Sequence, residues 1–364
     1  MRALVFSRLY ADPSQRQKLR ELLGLGWSIT VAIPGGGADM DGAIRLSPIP
    51  ASGSPAEPDR LRWSRRALRK LLTDARPDIV HIEEAPGTPG AWTAVREATR
   101  LGVPAVIFSW ESLPRKRGFL ERRRLTNTLS RVAGIIGGNR LALRLLQAEA
   151  PDALALSLPQ TGVTPPSAVE PRPGDMLTMA CVGRLVPERG VDRLLHTCGQ
   201  LMGPWRLFIA GTGPEQIGLE DLAEKLGLAS RIRWLGPQSR AEVTALWDKV
   251  NCLVVPSRST SEWVERYSQP LLDAMAHEVA AVVTAEAALP ELVGDAGIVV
   301  PSDEALLVAL QELLVDSQRR TALGRAGRRR VLDQFVDAAI ARDTDAFWRD
   351  VMARHPREAR PIDP

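Results

Sequence analysis

Cysteine, histidine and tyrosine are scarce in this chain: its 364 residues hold three cysteines, four histidines and two tyrosines. Cys181, Cys198 and Cys252 are scattered and odd in number, and two of them sit inside apolar runs. No metal-ligand spacing joins them. That excludes a disulfide framework and a cysteine-held zinc site, and it fits buried thiols in a reducing compartment. No stretch approaches the ~20 apolar residues that cross a bilayer, so any membrane contact is read as peripheral. The first residues, Met1–Arg8, are too short an apolar run for a secretory leader and read as a strand. No Gly-x-Gly-x-x-Gly follows a first strand in either half, which disfavours a nicotinamide oxidoreductase. These absences point to a cytoplasmic location. Charge is nearly balanced, with 47 Lys and Arg against 43 Asp and Glu and a sequence pI near 9.2. That mild basic bias permits an acidic partner without requiring one.

What is present is alternation. Short β-branched runs, such as Arg2–Ser7, Asp78–Ile82, Leu177–Val182 and Asn251–Val255, alternate with helical patterns throughout, as in parallel α/β sheets. The length suits two domains. Ser157–Gly174 holds five prolines and no apolar period, and is the linker candidate. The expected domains are 1–165 and 170–335, with a helix over 336–354 completing the first. Each is a doubly wound parallel-sheet, Rossmann-like domain, and the two are expected to face each other across a cleft that takes phosphorylated ligands.

Chemistry is concentrated in the second half. After its first strand comes Val182-Gly-Arg-Leu-Val-Pro-Glu-Arg-Gly190, where Gly183 permits a tight turn and Arg184 and Arg189 flank a loop that opens a helix. Two cations at a helix N-terminus form an anion site suited to a diphosphate. On the charge pattern alone, a solvated loop with two surface arginines is the favoured reading. Further on, Glu265 precedes a helix and Asp273 lies within it, with Ser268 as N-cap and Pro270 in the first turn. Alone, these read as two solvated acids at a helix start. In the first half, Glu83 and Glu84 follow one strand, and Trp110 and Glu111 follow another. All four sit where ligands gather in parallel sheets, or else are ordinary loop residues. His196 and His277 read as helix residues without a chemical role.

Taken in order, Gly183-Arg184, Pro187-Glu-Arg-Gly190, Ala210-Gly-Thr-Gly-Pro214, Trp234-Leu-Gly236, Val255-Pro-Ser257, Glu265 to Asp273 with Ala274-Met-Ala276, and Leu289-Pro-Glu-Leu-Val293 resemble glycosyltransferase family 4. These are the retaining, two-domain transferases of the GT-B fold. The resemblance covers about residues 177–335 well and the first half more loosely. It implies transfer of a sugar from a nucleotide diphosphate sugar to a glycan or lipid-linked acceptor, in polysaccharide or glycolipid synthesis. By that resemblance, Arg184 and Arg189 neutralise the departing diphosphate and Glu265 contacts the donor sugar. Asp273 holds the ribose, and the backbone of Ser268, Gln269, Pro270 and Leu271 meets phosphate. Gly211 and Gly213 line the donor site, and the loop after Leu235 lies near the base. Glu83, Glu84, Trp110 and Glu111 are the acceptor-side candidates. No metal or other cofactor is implied.

Six positions depart from the family pattern. Arg189 replaces a lysine and Asp273 a glutamate. Ser268, Glu278 and Ala287 each replace a glycine, and a proline two residues after Glu278 is Ala280. Gly35-Gly-Gly37 follows the second strand and reads as a flexible loop. Two other readings stay open: a degenerate, non-catalytic member acting as a binding partner, and a nucleotide-sugar epimerase of the same fold. Finally, Arg115–Arg124 packs basic residues around Phe119 and Leu120. This run reads as a surface for anionic membrane or as a solvated face, and it lacks the aromatic stacking motifs of a nucleic-acid site.

Overall fold

The computed structural model describes residues 1–35, 39–54, 57, 60–169 and 176–355. Gly36, Gly37 and the linker residues 170–175 lie outside that set. The chain divides into two units: Met1–Gly162 with Asp337–Pro364, and Val163–Val336.

In chain order the first unit contains β1 (Arg2–Phe6), α1 (Gln17–Gly24), β2 (Ser28–Pro34), β3 (Asp39–Asp41), β4 (Ile44–Ile49), β5 (Ala51–Ser52), β6 (Arg62–Trp63) and α2 (Arg65–Ala75). It continues with β7 (Ile79–Ile82), α3 (Pro89–Arg100), β8 (Ala105–Ser109), α4 (Phe119–Leu129), β9 (Gly134–Gly137), α5 (Arg140–Glu149) and β10 (Leu154–Ser157). Eight of these strands form one sheet in the order β10-β9-β8-β7-β1-β2-β4-β3, parallel except for the β3–β4 pair. Because successive strand residues point to opposite faces, each strand feeds two cores. Leu4, Phe6, Val80 and Ile107 pack under α2, α3, α4 and α5. Ala3, Val5, Ile79 and Val106 pack under α1 and the last helix. β4 was not foreseen in the sequence. Its run Ile44-Arg-Leu-Ser-Pro-Ile contains a proline, which demotes a strand reading, yet it pairs in parallel beside β2.

The second unit contains β11 (Leu177–Val182), α6 (Val191–Cys198), β12 (Trp205–Ala210), α7 (Gln216–Lys225), β13 (Ile232–Gly236), α8 (Arg240–Leu246), β14 (Cys252–Val255), α9 (Gln269–Ala276) and β15 (Ala280–Thr284). It ends with α10 (Leu289–Val293), β16 (Ile298–Val300), α11 (Asp303–Val315) and α12 (Ser317–Gln334). Its six strands are all parallel, in the order β13-β12-β11-β14-β15-β16. The helical tail read over Ser317–Ala353 is two helices. After α12 the chain returns to the first unit as α13 (Asp337–Arg354), whose Phe347, Trp348 and Val351 are buried against that sheet. The three cysteines are free and buried, and burial pushes the thiols of Cys181 and Cys252 up to about 12, so they are poor nucleophiles. No helix among the described residues is long and apolar enough to cross a membrane.

Two of the replaced glycines sit in left-handed backbone, Glu278 at φ 57° and Ala287 at φ 48°. The fold keeps the conformation that glycine tolerates and an L side chain resists. Ala287→Gly is therefore expected to stabilise the protein by about 0.5–1 kcal/mol, read as a higher midpoint in urea denaturation. An unchanged or lower midpoint would contradict the strain.

Candidate active site

The site follows from strand order. β11 lies mid-sheet, with β12 and β13 built outward on one side and β14 to β16 on the other. The order reverses between β11 and β14, and ligands of such sheets bind outside the carboxyl ends of the strands at that point. The loops leaving β11 and β14 meet there. Gly190 adopts φ 66°, and a Cβ on it would lie 2.1 Å from the Pro256 carbonyl oxygen. The Arg258 amide donates to the Glu188 carbonyl at 2.8 Å. The loop leaving β12 packs equally closely, since a Cβ on Gly211 or Gly213 would fall about 2 Å from the carbonyl oxygen of Gly183 or Leu185.

Within this junction Arg189 donates to the Glu265 carboxylate and lies over the Trp263 ring, its guanidinium carbon 5.4 Å from the ring centroid. Gly183 leaves room for that guanidinium, because a Cβ there would sit 3.2 Å from Arg189 Nε. Ser257 Oγ donates to the same carboxylate at 3.4 Å, and the Glu265 carbonyl accepts the Ala288 amide at 3.2 Å. Burial pushes the Glu265 carboxyl above its ordinary range, and the Arg189 charge opposes it. Asp273 is held likewise: burial raises it, while Gln269 Nε2 donates to it at 3.0 Å.

The sequence placed Arg184, Arg189 and Glu265 together, and the structure joins two of the three. Arg184 is exposed on the same loop, and its guanidinium makes no hydrogen bond or ion pair with a described residue. Ser268 precedes α9 but makes no side-chain cap, a departure from the expected N-cap. Ser268 is buried with φ −116°, and its side chain leaves the first amides of α9 uncapped. Pro270 occupies the first turn and Leu271 is core. Leu235 lies on β13, where its carbonyl accepts from Gln238 Nε2 at 2.8 Å. Trp263 and Ser257 were missed. Trp263 had a signal, an aromatic two residues before a candidate acid, but a stacking role needs the loop geometry to be seen.

In the first unit, two acceptor-side candidates are buried against partners of that unit. Glu83 follows β7, but its side chain is 0% exposed. It accepts from Lys18 Nζ at 2.9 Å, Tyr10 Oη at 3.1 Å and Gln160 Nε2 at 3.0 Å. Burial alone would raise its carboxyl; Lys18 and the other donors instead hold it at about 2. Glu84 is buried against Arg8, whose Nε donates at 2.6 Å. Both carboxylates serve the unit's interior, because cationic and polar groups from α1 and its preceding loop fold over the end of β7. Trp110 and Glu111, after β8, remain partly exposed. The indole of Trp110 donates to Gln160 Oε1 at 3.0 Å, and Glu111 pairs with Arg115 at 2.8 Å and Arg117 at 2.7 Å.

Comparison with known proteins identifies the family of both units. Residues 167–330 match the family described as "Glycosyl transferases group 1" and residues 13–153 match "Glycosyl transferase 4-like domain". An MMP alpha-(1->4)-mannosyltransferase of Mycolicibacterium hassiacum is 27% identical over 93% of this chain and 94% of its own. A GDP-mannose-dependent alpha-(1-6)-phosphatidylinositol monomannoside mannosyltransferase of Mycobacterium tuberculosis is 31% identical, the match spanning 50% of each chain. For most of the first curated relatives, the match covers about half of their length. A sucrose-phosphate synthase from Thermosynechococcus elongatus superposes with a TM-score of 0.68 at 18% identity, covering 97% of this chain and 100% of that one. The chain therefore belongs to the group 1, family 4 glycosyltransferases, built on the GT-B fold.

Proposed function

We propose that this protein is a retaining glycosyltransferase that takes a sugar from a nucleotide diphosphate donor bound at the β11–β14 junction. The reading rests chiefly on the meeting of Arg189 and Glu265 beside the open start of α9. An arriving diphosphate offers Arg189 a stronger partner than Glu265 does. Arg184 supplies a second guanidinium, and the α9 amides supply a positive helix end. Once released from Arg189, the Glu265 carboxylate is free to accept hydrogen bonds from sugar hydroxyls. Asp273, on the same helix, would hold the ribose. Charge developing on the departing diphosphate is stabilised by guanidinium groups already in place, so turnover needs no divalent cation and survives chelator. The leaving phosphate takes the acceptor proton.

The replaced glycines argue against a degenerate member, because Glu278 and Ala287 keep the left-handed backbone their positions require. Two relatives are named for mannosyl transfer, one of them to a phosphatidylinositol mannoside, which supports a glycan or lipid-linked acceptor here. Trp110 and Glu111 are the acceptor-side residues that keep access to solvent. A thermal-shift screen across UDP, GDP and other nucleoside diphosphates tests the reading. One of them is expected to raise the melting temperature of the wild type, and Arg184→Ala is expected to remove that shift. No shift with any nucleoside diphosphate would end it, and turnover of donor without acceptor would favour the epimerase.

A further inference from the structure

The helices of the first unit divide by charge as well as by face. α2, α3 and α4 pack side by side on one face of the sheet, burying Leu68, Ala94 and Leu125 of their own inner faces. Together they carry nine Lys and Arg against three Asp and Glu. The opposite face, α1 and α13, carries five of each. The excess on the α2–α4 layer is thus greater than the net charge of the whole chain, +4.

One buried acid organises this surface. Glu97 on α3 is 1% exposed, and four arginines close on it: Arg65 at 2.6 Å, Arg69 at 2.8 Å, Arg100 at 3.3 Å and Arg96 at 3.4 Å. The carboxylate accepts from Nε of Arg65 and of Arg69, which fixes the directions of these two half-exposed side chains and leaves their terminal N–H groups ordered for an anion. Arg66 on α2 and Arg122 and Arg123 on α4 are exposed, and their guanidinium groups make no hydrogen bond or ion pair with a described residue. Within the basic run noted in the sequence the roles divide: Arg115 and Arg117 are paired with Glu111 and Glu121, and Arg124 donates to the Gly87 carbonyl.

The first turn of α4 adds an apolar tip to the layer. Phe119 is 78% and Leu120 66% exposed, and Glu121, which pairs with Arg115, separates them from Arg122 and Arg123. A soluble polyanion would satisfy the cations and leave these two side chains in water. A bilayer satisfies both, with phosphate at headgroup depth and hydrocarbon beneath it.

We propose that the α2–α4 face is a docking surface for an anionic phospholipid bilayer. The arginines around Glu97 and the free cations of α2 and α4 meet headgroup phosphates, and Phe119 and Leu120 enter the interface. This is independent of the donor reading, whose residues lie in the other unit.

Sedimentation with vesicles tests it. Wild type is expected to pellet with equimolar phosphatidylglycerol and phosphatidylcholine and not with phosphatidylcholine alone, and added salt should release it. Arg66→Glu with Arg123→Glu is expected to weaken partitioning at least about tenfold. Phe119→Ser with Leu120→Ser should weaken it by a similar factor of about ten. Arg342→Glu with Arg354→Glu makes the same change in net charge on α13 and should leave binding at the wild-type level. Circular dichroism melts establish that each variant is folded, and the nucleoside diphosphate shift should survive in all of them. The proposal is overturned if wild type ignores lipid charge or fails to bind. It is equally overturned if the α13 pair loses as much as the α2–α4 pair, or if the Phe119 and Leu120 variant keeps full binding while dextran sulfate displaces the wild type.

Discussion

Replacing Arg189 with alanine is expected to lower kcat/KM for the donor by about a hundredfold or more, the scale of losing a preorganised group that stabilises transition-state charge. Arg189→Lys should recover only part of this. The lysine keeps the charge but loses the planar fork that bonds Glu265 while lying over Trp263. A stability signature accompanies the kinetic one. Glu265 is buried, burial already pushes its carboxyl up, and Arg189 is the charge that opposes this. Without the guanidinium the carboxyl rises further. An acid whose folded value is raised is easily accommodated when protonated and costs stability as pH climbs through that value. The deficit of Arg189→Ala should therefore be largest at neutral and higher pH and shrink on acidification. Adding Glu265→Gln should restore stability at neutral pH and leave activity low. Denaturation and donor kinetics on the two single variants and the double variant check both parts. Activity near wild type in Arg189→Ala would remove this residue from the mechanism.

Lys18→Met is expected to be the most damaging single change to stability outside the donor unit, costing about 3 kcal/mol or more because it strands a buried carboxylate. Its partner Glu83 is fully enclosed, and Lys18 is nearly so. The melting temperature should fall by on the order of 10 °C. The pH dependence has the opposite sense to that of Glu265. Glu83 is held at about 2, below its ordinary range, chiefly by Lys18 against the cost of burial. An acid with a depressed folded value stabilises the protein above the ordinary carboxyl range, and that contribution is lost as pH falls toward about 2. The difference between wild type and Lys18→Met should therefore narrow on acidification. The double variant Lys18→Met with Glu83→Gln should recover most of the loss, since an amide still accepts from Tyr10 and a neutral pair carries no stranded charge. Equal losses in the single and double variants would show that the ion pair is not the cause.

Glu83 and Lys18 also show where sequence reasoning stops. Glu83 sits directly after a β-branched strand, where cleft residues of parallel sheets are found, and so it was read as facing an acceptor. The pattern carries the position along the strand but not what covers its end. Lys18 lies four residues before Leu22, on the stripe that α1 buries with Leu19. A lysine in an apolar stripe is a visible oddity, but its partner is 65 residues away. The basic layer divides the same way. The run around Phe119 was legible because its residues are contiguous, whereas Arg65, Arg69, Arg96 and Arg100 come together on Glu97 only when α2 and α3 pack. Among the donor residues, the order of motifs marked Arg184, Arg189, Glu265 and Asp273, and missed Trp263 because stacking depends on a loop path.

The sequence by itself determined the alternation of strand and helix, the doubly wound parallel sheets and the order of the donor-side motifs. These are written locally, in the period of apolar residues and in glycine and proline, and short-range sterics read them directly. Tertiary structure alone decided which charges pair. It turned Glu83 and Glu84 inward, closed Arg189 onto Glu265, left Arg184 open and gathered four arginines on one acid. A charge takes its character from neighbours brought by packing across tens of residues, and no local pattern encodes them.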